Sequence, residues 1–401
     1  MKYDIEKIKR RIDELFDEAV AFRRELHMYP ELSEKETETA GRIHSRLSEL
    51  GIEYQPNVAG HGVVATVYGQ NRDHAVGIRA DIDALPIVEN VDVEFASRNH
   101  GVMHACGHDM HTAIMLYTAK ILNEMRDELP GSVKFFFQPS EETIGGAEQM
   151  IKEGCLKNPD VSSVIGLHVE TAVPAGSIEF VLGPMNAAST EFYVTVYGQS
   201  CHGASPFNGI DPLLPACAMV SNIQSIVTRR IDPTEAALVT IGQFHSGSKN
   251  NIIPAETKFS GIIRVLDMKN RHFIKAELER ICNQTAASFG ATCKVEFADS
   301  YPSLTNDEHL TAWVKETAEE VLGKDKIMIR TRPSLGADDF SYFCHDSRAL
   351  YFNLGTARAG EEFTAPIHNE NFYPDEEAIR VGILTEIIAV LRIMDEECGN
   401  W

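Results

Sequence analysis

The sequence predicts an α/β protein: a central mixed sheet flanked by helices, interrupted by a smaller inserted α+β domain. Two observations carry this. Through the first third of the chain, helical periodicities alternate with short apolar runs, the pattern of strands buried between helices. That texture breaks near residue 187 and returns after Pro302. One domain is therefore expected from both ends of the chain, residues 1–186 and 302–401, around an insert at 187–301. The length of 401 residues, 43% of them hydrophobic, suits two cores better than one.

The elements follow in order. Ile5, Ile8, Ile12, Leu15 and Phe16 recur at helical spacing and predict a helix over residues 4–27. A second helix runs from about 34 to 50 and stops at Gly51. Strand-like runs occupy 62–69 and 74–81, a helix spans 108–128, and the apolar run 133–137 reads as a buried strand. A short helix then precedes a strand at 161–168. In the insert, 190–197 alternates like a half-exposed strand. A helix (211–230), strands at 236–244 and 256–266, a helix (268–288) and a strand at 292–297 complete it. The last helix falls at 375–397. No internal repeat or low-complexity linker is present.

Acidic residues number 59 against 37 basic ones, a formal charge of −22. A nucleic-acid binder needs a basic face, and no Lys/Arg-rich run exists, so nucleic acids and anionic membranes are excluded as expected partners. No run of about 18 apolar residues predicts a membrane span. The first residues, MKYDIEKIKRRIDELFDEAV, are charged and helix-patterned rather than signal-like. The eight cysteines are scattered with no CxxC pair, which points to a reducing, cytoplasmic location.

The densest polar cluster is His104-Ala-Cys106-Gly-His108-Asp109-Met-His111. Cys, His and carboxylate are ligand types for zinc, and for manganese, cobalt or nickel at mixed sites. Cys106 and His108 sit two apart where a loop meets a helix, and flexible Gly107 lets them converge. The plain alternative is surface decoration, with Asp109 capping the helix. Gln138-Pro139-Ser140-Glu141-Glu142 follows an apolar strand. Two adjacent carboxylates point different ways, so one can bind metal while the other acts as general base; an isolated pair would be a solvated turn. His168 closes the apolar run 163–167, and strand ends are where α/β sheets place their sites. Pro366-Ile-His368-Asn-Glu370 precedes the last helix, and Arg79-Ala-Asp81-Ile-Asp83-Ala-Leu-Pro86 ends another strand. Asp81 or Asp83 is a candidate to orient a ligand histidine. Taken singly, each is a loop or turn residue; together they fall at strand ends and loops.

The order HACGHDMH, QPSEE, LHV and IHNENF resembles the aminoacylase and glutamate-carboxypeptidase family of dinuclear metallopeptidases. Within it, the chain is similar to the amidohydrolase branch: hippurate hydrolase, bacterial N-acyl-amino-acid amidohydrolases and plant hydrolases of auxin–amino acid conjugates. GIRADIDALP, HACGHDMH and GIDP are specific in combination, and the match covers nearly the whole chain. The resemblance implies two divalent metal ions per subunit, with Cys106 bridging them as thiolate. His108 and His168 would complete one site, Glu142 and His368 the other. Glu141 would be the general base and then the acid toward the leaving amine, and Asp83 would orient a ligand. The insert would be a lid and dimerisation domain. His202 would reach the reacting carbonyl, often from the partner subunit, and Asn251 and Arg264 would hold the substrate carboxylate. Read without the family, those three are a loop histidine, a turn asparagine and a strand-surface arginine. The implied substrate is an N-acyl-amino acid or a dipeptide, and the implied assembly a homodimer, or a homotetramer.

The chain departs from the family where Cys201 precedes the lid histidine in place of glycine, where Phe207 replaces histidine, and where Asp338 replaces glutamate. These changes leave the ligands intact and bear on the substrate pocket. Three alternatives compete. A cysteine hydrolase using Cys106 with His108 or His111 leaves Glu141, Glu142, His168 and His368 unexplained. A non-catalytic metal- or peptide-binding relative would be free to lose Glu141, which is present. A dipeptidase or carboxypeptidase would share the metal chemistry and differ in the acyl pocket.

Overall fold

A computed structural model describes residues 3–358, 360 and 364–398. The chain divides into two compact units: residues 1–183, 305–332 and 339–401 form one, and residues 184–304 with 333–338 form the other. The return of 333–338 to the second unit had no signature in the sequence texture.

Along the first unit run α1 (Ile5–Met28), α2 (Thr37–Glu49), β1 (Glu53–Val58), β2 (Gly62–Val67), β3 (His74–Asp81) and α3 (His108–Glu124). They are followed by β4 (Ser132–Gln138), α4 (Ala147–Lys152), β5 (Asp160–Pro174) and β6 (Ile178–Val181). The second unit holds β7 (Pro184–Asn186), β8 (Ala188–Tyr197), β9 (Cys201–His202), α5 (Leu213–Arg230) and β10 (Ala237–Ser246). It continues with β11 (Ile252–Ile253), β12 (Glu256–Val265), α6 (Met268–Ser288) and β13 (Thr292–Asp299). The short β14 (Leu304–Thr305) leads back to the first unit, with α7 (Glu308–Leu322), β15 (Ile327–Arg330), α8 (Ser341–Asp346), β16 (Arg348–Ala357) and α9 (Ala378–Glu397).

The first unit is built on an eight-stranded sheet in the order β1-β2-β4-β3-β5-β16-β6-β15. It is mixed: β4, β3, β5 and β16 run parallel, while β1, β2 and the β16–β6 pair are antiparallel. The central strands are apolar on both faces, as strands sandwiched between helices must be. Helices α1, α3 and α9 pack on one another, and α3 is buried along almost its whole length. That burial explains its weak amphipathic pattern in the sequence. In the second unit, β10-β12-β8-β13 form an antiparallel sheet against which α5 and α6 pack around Phe192, Met219, Ile223, Ile274 and Leu278.

Two expectations change. The strand expected at 161–168 continues to Pro174, because β16 pairs with it as far as Ala357 opposite Pro174. His168 therefore lies within β5, not at its end. β1 and β16 lie outside the elements expected: β1 is mostly exposed and contains Pro56, whereas β16 carries the apolar run 349–354 of a buried strand.

Glu386 on α9 is 1% exposed, and neither carboxyl oxygen makes a well-formed hydrogen bond. Burial raises its pKa from 4.5 to about 8, against a smaller opposing influence of the Thr118 hydroxyl. Between those values the folded chain keeps a proton that the unfolded chain has released, so stability falls as pH rises through the window. Glu386→Gln is expected to flatten that slope in denaturant midpoints measured from pH 5 to 8; an unchanged slope contradicts the assignment.

Candidate metal centre

Five segments meet at the carboxyl edge of β3, β4 and β5, where parallel sheets place their functional loops. The turn from β3 supplies Asp81 and Asp83. The loop entering α3 supplies Cys106 and His108. The turn from β4 supplies Glu141 and Glu142. β5 supplies His168 beyond Gly166, its last partner on β3. The loop before α9 supplies His368.

Local backbone explains how these side chains converge. Gly107 precedes α3 at φ +84°, and a Cβ there would lie 2.4 Å from Val169 Cγ2, so only glycine turns the chain between Cys106 and His108 this tightly. Ser140 and His368 are non-glycine residues at φ +62° and +61°, conformations that persist only when the surroundings hold them. The Ser140 N–H donates to Glu36 Oε1 at 2.8 Å, and the His368 N–H donates to Ala105 O at 2.8 Å. Each restraint fixes a residue that carries or precedes a candidate ligand.

The ligand atoms of Cys106, His108 and His168 lie within 4.8 Å of one another, as do those of Cys106, Glu142 and His368. Cys106 is common to both sets. Its Sγ is 3.4 Å from His168 Nε2. His168 Nδ1 donates to Val169 O at 2.7 Å, which leaves Nε2 for the cluster. His108 Nδ1 faces Asp83, 3.0 Å from its backbone O and 3.2 Å from Oδ1, so Nε2 turns inward. Glu142 Oε1 is 3.2 Å from His368 Nε2 and 3.9 Å from His108 Nε2. Asp83 is buried and also accepts from Ser33 Oγ (2.7 Å) and from the Glu142 N–H (3.0 Å). It therefore fixes both a histidine ring and the backbone of a glutamate. Glu141, 8% exposed, groups with His108 and Glu142.

These residues fit a divalent cation. His108 Nε2 is buried with no hydrogen-bond partner, and Glu142 Oε1 makes no well-formed hydrogen bond although His368 Nε2 lies 3.2 Å away; a buried polar group left unsatisfied costs about 1–3 kcal/mol. Burial disfavours the His108 imidazolium, yet Asp81 and Asp83 outweigh it and lift the pKa to about 10. A pocket negative enough to hold that proton accepts a metal ion in its place. The Cys106 thiol is pushed well above its usual range by burial and by Glu142, Glu141 and Asp81, so a thiolate there needs neighbouring positive charge.

Sequence reading gave His111 a part only in the competing cysteine-hydrolase reading and missed the network beneath the site. Arg79, fully buried, binds Asp81 Oδ2 (2.6 Å), Asp339 Oδ1 (2.7 Å) and Gln138 Oε1 (2.7 Å). Asp339 also accepts from the N–H groups of Gly146 and Ala147, anchoring the chain just beyond Glu141 and Glu142. Asp109 is no ligand: it forms an ion pair with Arg23 Nε (2.7 Å) and contacts His27 Nδ1 (2.8 Å), tying α3 to α1.

The remaining candidates lie in the second unit. His202 on β9 pairs with Ile252 on β11, and Gly203 N–H donates to Asn251 O at 2.8 Å, so His202 and Asn251 are neighbours. His202 Nδ1 accepts from the Ala204 N–H at 3.0 Å, which leaves Nε2 as the protonated nitrogen. Arg264 is at the far end of β12, opposite Ser189, whereas Glu256 at the near end is opposite Tyr197. Eight residues of strand separate Glu256 from Arg264, about 25 Å. Arg264 Nη1 donates to Leu335 O at 3.3 Å, and among the described residues no carboxylate pairs with it.

The family model for peptidase family M20/M25/M40 matches residues 77–390. Thermostable carboxypeptidase 1 of Saccharolobus solfataricus is 35% identical over 396 residues, 98% of this chain and 99% of that protein. An N-acyl-L-amino acid amidohydrolase of Geobacillus stearothermophilus is 40% identical over 305 residues, 76% of this chain and 82% of that protein. The crystal structure of the YXEP protein of Bacillus subtilis, a dinuclear metal-binding peptidase of the M20 family, has a TM-score of 0.83 at 30% identity, covering 96% of this chain and 99% of that one. With the family model spanning most of its length and a ligand cluster where the two sets share one thiol, the chain belongs to peptidase family M20/M25/M40 and is a metal-dependent hydrolase of carbon–nitrogen bonds.

Proposed function

We propose that the chain hydrolyses the amide bond of N-acyl-amino acids at a site holding two divalent cations. The observation that carries this is the convergence of Cys106, His108, His168, Glu142 and His368, with Cys106 shared by both ligand sets. Cys106, His108 and His168 would hold one cation, and Cys106, Glu142 and His368 the other. A donor set of thiolate, imidazole and carboxylate suits zinc, manganese, cobalt or nickel. Bound there, the cations polarise the scissile carbonyl and make a water acidic enough to attack.

The chain's own residues do the rest. Glu141 removes a proton from the attacking water and delivers it to the amine nitrogen as the C–N bond breaks. Asp83 keeps His108 oriented and its Nδ1 protonated. His202 donates from Nε2 to the carbonyl oxygen as it gains charge. Arg264 binds the free carboxylate of the amino acid. Burial lowers the Arg264 pKa, so an anionic ligand relieves a charge that is partly desolvated.

The register of β12 supports a homodimer as the working unit. In sequence, His202 follows Tyr197 and Asn251 precedes Glu256, the pair that ends the β8–β12 ladder, whereas Arg264 stands at its other end opposite Ser189, an arrangement in which a second copy would supply His202 and Asn251 to a substrate held by Arg264. A homotetramer built from such dimers allows the same. The eight free cysteines suit a reducing, cytoplasmic compartment. No helix among the described residues is long and apolar enough to cross a membrane.

The testing experiment is hydrolysis of N-acetyl-, N-benzoyl- and indole-acetyl-amino acids beside plain dipeptides. Cleavage of the N-acyl compounds is expected. Cleavage of dipeptides alone would favour the carboxypeptidase reading that the Saccharolobus relative's name suggests. Arg264→Ala is expected to raise KM about 10–100-fold for substrates with a free carboxylate, the loss of one charged hydrogen-bonded contact. An equal loss on the amidated substrate would contradict a carboxylate-binding role.

A further inference from the structure

His111 makes no contribution to the ligand set above, yet it is 1% exposed and touches both ligand-bearing elements of one cation site. It lies one turn beyond His108 on α3, and its ring is 5.5 Å from that of His108 and 4.9 Å from that of His168. Its two nitrogens are fully committed. Nδ1 is 2.6 Å from Asp81 Oδ1, and Nε2 accepts from the Val169 N–H at 3.0 Å. Because an amide can only donate, Nε2 is unprotonated, and the ring proton sits on Nδ1 facing Asp81.

Val169 is the residue on which the two histidines meet. Its N–H goes to His111 Nε2, its carbonyl accepts from His168 Nδ1 at 2.7 Å, and its side chain fills the space against Gly107 that a Cβ would occupy. The position explains the need. β5 outruns β3 after Gly166, so no β3 residue pairs with the Val169 peptide, and His111 takes the place of the missing strand. Asp81 is in turn held by Arg79 at 2.6 Å.

We infer that His111 is a positioning residue, which through Asp81 on one side and the Val169 peptide on the other sets the spacing between His108 and His168. This rests on the assignment of His108 and His168 as ligands of one cation. The relay depends on the acceptor at Nε2, so two substitutions of similar polarity should part company. His111→Gln can still accept from the Val169 N–H. His111→Asn can still donate to Asp81 but falls short of Val169.

The experiment is Co²⁺ titration of the chelated full-length chain, followed by its visible d–d and thiolate-to-metal bands, with melting curves to confirm folding. His111→Asn is expected to bind one of two Co²⁺ ions about 10–100-fold more weakly, with shifted d–d bands and unchanged KM for an N-acyl substrate. His111→Gln is expected to stay nearer to wild type in both affinity and spectrum. Folded variants that bind Co²⁺ alike, whether both weakened or both unaltered, overturn the inference, because a merely structural histidine would not distinguish them. A wild-type chain that shows no thiolate-to-Co²⁺ band overturns the ligand assignment itself.

Discussion

Replacing Glu141 with glutamine is expected to lower kcat by about 10²–10⁴-fold, the contribution of a positioned general base, while fold and metal content stay as they are. Glutamine keeps the size and shape of the side chain and removes its ability to carry a proton. Glu141 is almost buried, and the turn that presents it is set by its neighbours: Ser140 is held at φ +62° by Glu36, and the Glu142 N–H is bound to Asp83. The substitution therefore has little backbone freedom to exploit. Steady-state kinetics with elemental analysis of the same sample read both halves of the prediction. A variant with near-wild-type kcat would mean that another group moves the proton.

Cys106→Ala is expected to be at least as damaging, and for a different reason. Removing a group that merely orients a metal ligand costs about 10–100-fold in affinity or activity, and Cys106 belongs to both ligand sets. The variant should hold at most one cation and lose at least about 100-fold in activity. The thiol is buried among Glu142, Glu141 and Asp81, which oppose its ionisation. Cation binding must therefore expel its proton, so metal affinity should rise with pH in the wild type and rise less steeply in Cys106→Ala. Full occupancy by two cations in the variant would contradict a bridging thiolate.

The candidate ligands could be proposed from sequence because chemistry confines them to short segments: the Cys106–His108 pair, the Glu141–Glu142 pair, and single histidines beside apolar runs. What holds them was not readable. Arg79 and Asp339 are 260 positions apart, and no local pattern announces a buried ion pair assembled by the sheet. His111 entered the sequence reading only as a possible partner of Cys106, and its contact with the Val169 N–H became visible only once β5 was seen to outrun β3. His168 seemed to end a strand because the apolar run stops there, whereas pairing with β16 carries the strand on to Pro174. The place of Arg264 at the far end of β12 needed the β8–β12 register. The α/β class followed from texture, since alternating buried strands and helices leave a composition signal that a nonlocal network does not.

The most direct test is to remove metal from the purified chain with a chelator, confirm its loss by elemental analysis, and then follow hydrolysis of an N-acyl-amino acid while Zn²⁺, Mn²⁺, Co²⁺ or Ni²⁺ is added back. The account predicts no turnover in the stripped protein, with full activity returning as occupancy approaches two cations per chain. Turnover that survives complete removal, or that saturates with no cation bound at Cys106, would contradict it.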